Sequence, residues 1–66
     1  MAIKVIELIG VSKRSFDDAI SEALARAAKT VRGITGLKVL SLNAVIEENR
    51  IVEYRANVKI AFRIEG

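Results

Sequence analysis

The chain has 66 residues, a formal net charge of +3, no cysteine and no histidine. Those two absences remove disulfides, thiolate sites and the histidine-based zinc and catalytic constellations. A domain this small buries only about 60% of its unfolded surface and needs outside support; with 52% hydrophobic residues, that support points to other subunits.

The first element is the run Ile3-Lys4-Val5-Ile6-Glu7-Leu8-Ile9, short, β-branched and closed by Gly10. It reads as a strand. Interrupted by Lys4 and Glu7, it is too short for a membrane span and does not look like a signal peptide. A turn follows through Val11-Ser12-Lys13-Arg14. Ser15 then opens a helix, with Asp18 three residues on in a variant of the capping box. Phe16, Ala19, Ile20, Ala23, Leu24, Ala27 and Val31 fall in steps of three and four and make one apolar stripe. Asp17, Asp18 and Glu22 come early and Arg26, Lys29 and Arg32 late, which suits the helix dipole. Gly33 is a natural stop, so the helix is predicted over 15–32.

Residues 37–48 form a second strand. Val39, Leu40, Leu42, Val45 and Ile46 put apolar groups on both faces, as in a strand covered on both sides for part of its length. Glu48-Asn49 makes a tight turn. The last strand alternates: Val52, Tyr54, Ala56, Val58, Ile60, Phe62 and Ile64 share one face, and Glu53, Arg55, Asn57, Lys59, Arg63 and Glu65 the other, with Ala61 the exception. The two long strands form an antiparallel hairpin, the first strand joins beside the last, and the helix covers one sheet face. The other face is polar and looks onto solvent or an enclosed cavity. There is no repeat or linker, so residues 1–66 are one domain.

Three stretches resemble the dodecin family. Lys4-Val5-Ile6-Glu7-Leu8-Ile9-Gly10-Val11-Ser12 is similar to its opening strand and turn. Ala23-Leu24-Ala25-Arg26-Ala27-Ala28-Lys29-Thr30-Val31-Arg32 resembles its helix. Val58-Lys59-Ile60-Ala61-Phe62-Arg63-Ile64-Glu65 is similar to its last strand. The resemblance implies an α+β fold of order β-α-β-β: a three-stranded antiparallel sheet wrapped around one helix, assembling into a hollow dodecamer of tetrahedral symmetry. It also implies a small ligand. Typical members bind flavins (riboflavin, FMN or FAD) inside the shell and store or quench them. Some bacterial members hold coenzyme A, and a branch without the stacking tryptophan is described as calcium-binding.

The family's flavin site uses a stacking tryptophan and a hydrogen-bonding glutamine. Matched by position, these fall on Gly36 and Arg55, and an arginine near the flavin falls on Asn43. Glycine has no ring, and arginine lacks the donor-acceptor pair of an amide, so flavin binding is expected to be weak or absent. Lys4, Arg26, Thr30, Arg32 and Arg63 match residues that surround coenzyme A or nucleotide phosphates in some members. Plainer readings stand beside these: Gly36 as a turn glycine, Arg26 as an i,i+4 partner of Glu22, and the basic helix end as a complement to the dipole. The expected function is storage or sequestration of a flavin or phosphate-bearing cofactor by a cytoplasmic homododecamer. The alternative is a shell that binds no flavin, with a structural or calcium-binding role; the sequence gives no calcium-loop signature. No catalytic constellation is visible, so an enzyme is not expected. No aromatics lie on the polar strand face to stack nucleic-acid bases, and neither nucleic acid nor membrane is expected as a partner.

Overall fold

The computed structural model describes residues 1–65, in the order β1 (Ala2–Ser12), α1 (Phe16–Ala28), β2 (Ile34–Glu47) and β3 (Arg50–Ile64). The strands form one antiparallel sheet in the order β1-β3-β2, which is the expected β-α-β-β arrangement. β2 and β3 join through Glu48 and Asn49, both at positive φ (51° and 63°). Two-residue hairpin turns use that conformation because its twist matches the strands.

The helix starts where expected. Ser15 is extended, and its hydroxyl accepts from the Asp18 N–H at 3.0 Å, satisfying one free amide of the first turn. The reciprocal half of the capping box differs. Asp18 is held instead by the Ser12 hydroxyl, which donates at 2.7 Å, and by the Arg14 guanidinium at 3.0 Å. Ser12 Oγ in turn accepts from the Arg14 and Ser15 amides. The Ser12 bond, and after it the Arg14 bond, holds the Asp18 carboxyl below its ordinary value of 3.8. A carboxylate lowered in the folded state contributes stability that is full above its unfolded pKa and is lost as pH falls through the folded one. Thermal melts taken downward from pH 5 should therefore show an acid loss that Asp18→Asn makes shallower. Identical acid limbs in the two proteins would exclude Asp18 as a source of it.

The helix ends at Ala28 rather than Arg32. The amides of Lys29, Thr30 and Val31 fall back on the carbonyls of Arg26 and Ala27 at 3.0–3.2 Å, and the Thr30 hydroxyl donates to Ala27 O at 3.2 Å. The last turn is closed by tightened bonds. Thr30 and Val31 are β-branched and poor at continuing a helix, and Val31 packs against the core. Gly33, at φ 74°, is thus a turn residue between α1 and β2.

Gly10, expected to end the first strand, lies buried inside it. A Cβ there would sit 1.9 Å from the Ala19 carbonyl oxygen and 2.9 Å from Ala23 Cβ. The glycine lets the helix backbone lie directly on β1. The helix presents a seam of small residues, Ala19, Ala23 and Ala27, all buried. With Ala56, Val58 and Ile60 of β3 they form the core. The helix packs over β1 and β3 and barely reaches β2.

The 37–48 segment is not covered on both sides. Its pairing with β3 slips at Ile34/Gly36 and Val39/Ser41, leaving Thr35 and Leu40 as extra residues, and at Val45/Ile46, leaving Val52 extra on β3. Each extra residue resets the alternation. Leu37, Val39 and Leu42 consequently share the helix side, opposite Ile60, Val58 and Ala56. Val39 and Leu42 remain 39% and 46% exposed, because the helix lies elsewhere. The open face also differs from the expectation of a polar one. On β1, Ile3, Val5, Ile9 and Val11 stand beside Arg63, Ala61, Asn57 and Arg55, and all four are exposed. The subunit thus leaves apolar surface uncovered on both sides of its sheet. Among the described residues no helix is long and apolar enough to cross a membrane.

Candidate functional site

The open sheet face is built in rows. Val5, Ala61 and Gly36 form one; Glu7, Lys59 and Lys38 the next; then Ile9, Asn57 and Ser41; then Val11, Arg55 and Asn43. Residues directly opposite across strands share a face, so Gly36, Asn43 and Arg55 all lie on the side away from the helix. Asn43 and Arg55 are opposite neighbours. Gly36 is not with them: its partner Ala61 is six residues from Arg55, about 20 Å along a strand. One chain alone does not bring Gly36 and Arg55 to the same ring.

Arg55 and Asn43 already have partners on this face. Arg55 Nε donates to Glu53 Oε2 at 2.6 Å, and the Asn43 amide donates to Ser41 Oγ at 3.3 Å and Asn57 Oδ1 at 3.5 Å. A Cβ on Gly36 would meet nothing within 4 Å. A hollow of about 300 Å³ lies there, lined by Val5, Gly36, Leu37, Lys38, Lys59 and Ala61. These residues do not fit a flavin ring held by stacking and an amide edge. Flavin should therefore bind weakly or not at all. Restoring both groups with Gly36→Trp and Arg55→Gln should tighten it about 30- to 1000-fold, since stacking is worth about 1–3 kcal/mol and a hydrogen bond about 1. Quenching of riboflavin or FMN fluorescence measures this; tight binding by the unchanged protein would contradict the reading of Gly36 and Arg55.

The five residues matched to phosphate contacts are divided. Arg32 and Arg63 line one cleft of about 300 Å³ with Gly33 and Glu65, where the Arg63 N–H donates to Gly33 O at 3.0 Å. Arg26 lines another, with Ile9, Gly10, Val11 and Glu22, and its guanidinium is 3.9 Å from Glu22. The Thr30 hydroxyl donates to the Ala27 carbonyl. Lys4 pairs with Phe62 and Arg63 with Ile3, so the two basic groups leave opposite faces of the sheet. Of the set, Arg32 and Arg63 are the pair brought together in one cleft. The sequence reading placed Lys59 on the polar face of the last strand but missed Lys38, whose direct opposition to Lys59 depends on the bulged register of β2. Among the described residues no group of three acidic side chains converges.

The dodecin family model matches residues 2–65. The dodecin of Thermus thermophilus is 37% identical over 62 residues, covering 94% of this chain and 90% of that one. The calcium dodecin of Mycobacterium tuberculosis is 30% identical over 61 residues, 92% of this chain and 86% of that one. A crystal structure of a Thermus thermophilus protein superposes with a TM-score of 0.94 at 35% identity, covering 98% of this chain and 96% of that one. With a match from the first strand to the last and the same β-α-β-β fold, the chain belongs to the dodecin family.

Proposed function

We propose that this chain is a non-catalytic subunit of a homododecameric shell that sequesters a small phosphate-bearing cofactor, such as coenzyme A or FMN gripped through its phosphate, in the cytoplasm. The observation that carries the ligand class is the shared cleft of Arg32 and Arg63. Two guanidinium forks donate to phosphate oxygens in pairs, whereas Gly36 offers a flavin ring nothing to stack on. The shell is supported by family membership and by the apolar surface that one subunit leaves open. In such a shell the open sheet face lines the interior.

A second reading follows from the calcium dodecin among the relatives. Among the described residues no acidic triad converges in one chain, so a calcium site would have to be assembled from neighbouring subunits. Separate calorimetric titrations with coenzyme A, FMN and calcium distinguish the readings. Coenzyme A should release heat at low salt and bind more weakly as salt rises. Arg32→Gln with Arg63→Gln should cost about tenfold or more in affinity and leave the assembly intact. No heat with either phosphate ligand, or equal affinity in both proteins, ends the phosphate reading; a response to calcium alone favours the second.

A further inference from the structure

We infer that Glu65 sets the specificity of the Arg32–Arg63 cleft: it selects a phosphate ester that carries a hydroxyl on the carbon next to the phosphate and turns away one that lacks it. The inference rests on the phosphate reading of that cleft. Glu65 lines the same hollow of about 300 Å³ as the two arginines and Gly33. It stands two residues beyond Arg63, and positions two apart along an extended chain leave on the same side. Arg32 is brought to them by the bond from the Arg63 N–H to Gly33 O, with Gly33 at φ 74°. A carboxylate serving only as a counter-charge would close on one of the guanidinium groups. Among the described residues the ion pairs are Arg14–Asp18, Arg26–Glu22 and Arg55–Glu53, and Glu65 is in none of them.

The groups in the cleft divide by hydrogen-bonding role. Guanidinium forks only donate, and an ionised carboxylate only accepts. The Gly33 carbonyl already accepts from the Arg63 N–H. A bare phosphate therefore satisfies the arginines but sets its charge beside Glu65, which it repels and cannot bond. A hydroxyl on the neighbouring carbon donates to that carboxylate while the phosphate oxygens stay on the arginines, so every charged group in the cleft gains a partner. Two guanidinium groups against one carboxylate leave the cleft cationic, and it still draws an anion. Selection of this kind works by leaving the competitor with an unmet charge. The ribose of coenzyme A, beside its 3′-phosphate, and the ribityl chain of FMN both supply such a hydroxyl; inorganic phosphate does not.

Titrating the full chain with adenosine 3′-monophosphate and 2′-deoxyadenosine 3′-monophosphate, which differ in that hydroxyl alone, tests the inference. Native protein should prefer the ribose compound by about fivefold or more. Glu65→Ala should bind the two equally, and should hold the deoxy compound more tightly than native protein does. It should elute at the native size and melt with the native protein, since Glu65 is exposed past the end of β3. Glu65→Gln, which keeps an acceptor without the charge, should retain part of the preference. Arg32→Gln with Arg63→Gln should weaken both compounds. Equal binding of the two by native protein overturns the role of Glu65 and leaves the phosphate reading standing. A Glu65→Ala variant that tightens both by the same factor and keeps the ribose preference also overturns it, because the carboxylate then acts through charge alone. If native protein binds neither compound at low salt, the phosphate reading fails and this inference with it.

Discussion

Gly10→Ala should destabilise the fold severely. The added methyl meets the Ala19 carbonyl oxygen at 1.9 Å and the Ala23 backbone nitrogen and Cβ at 2.9 Å. These are mostly main-chain atoms of α1, which do not swing aside as a side-chain tip does. The helix must lift from β1, uncovering the alanine seam, or the strand must bend away from β3. Overpacking a core costs about 1–3 kcal/mol where side chains yield, and more where they do not. We expect about 3 kcal/mol or more here, against the roughly 5–15 kcal/mol that stabilises an ordinary domain. Gly36→Ala is the matched control. Nothing stands within 4 Å of that position, so the same chemical change should move stability by less than about 1 kcal/mol. Circular dichroism melts of the two variants should separate widely. If Gly10→Ala melts beside the native protein, the helix does not lie against the strand as described.

Leu42→Glu should dismantle the assembly. Leu42 faces the helix side of the sheet opposite Ala56, but it lies on the strand the helix barely reaches and stays 46% exposed. Val39, on the same side, is 39% exposed. A shell that buries this stripe gains about 1 kcal/mol at Leu42, roughly half the value for a fully exposed leucine, since the rest is already covered. A glutamate there forfeits that gain and adds the cost of burying an unpaired charge, several kcal/mol. The change recurs in every subunit, so its effect multiplies through a closed shell. Light scattering after size exclusion should give about twelve chain masses for the native protein, as closed symmetric assembly in this family implies. The variant should elute as single chains or small oligomers. A variant that keeps the native mass would place the subunit contacts elsewhere.

The parts of the fold that could be read in the chain are those governed by local rules. Beyond the extra residue Val52, strand β3 alternates, and its apolar parity from Tyr54 to Phe62 is the face that meets the helix. Ser15 announces the helix start because an N-cap is a neighbour-to-neighbour bond. The errors share one cause: they depend on what arrives from far along the chain. Gly10 looks like a terminator until the helix is seen lying on it. Val39, Leu40 and Leu42 look two-faced until Leu40 is recognised as the extra residue of a bulge. The helix end was overrun because Val31 continues the apolar spacing and packs on the core from outside the helix, while the Thr30 hydroxyl bonds back to the Ala27 carbonyl. The candidate site shows the same division. Gly36, Asn43 and Arg55 are matched by resemblance alone; simple alternation would put Gly36 and Asn43 on opposite faces, and it is the bulge at Leu40 that brings them to one, while the register keeps Gly36 apart from Arg55. Lys4 and Arg63 looked like companions on adjacent strands. Pairing with Phe62 and Ile3 sends them to opposite sides.

The pairing of β1 with β3, from Ala2 against Ile64 to Ser12 against Tyr54, bears on how the chain is made. During synthesis β1 leaves the ribosome before β3, its sheet partner, has been fully translated. The helix and the β2–β3 hairpin close over short distances, whereas β1 must wait for residues more than forty positions away, and such distant contacts form late. Until then β1 is a bare edge rich in isoleucine and valine, the kind of segment that pairs with the wrong neighbour when several nascent chains crowd one message. Lys4 and Glu7 are the two charges within it. They act as gatekeepers in that interval, keeping early strands from pairing with one another before each has its own β3.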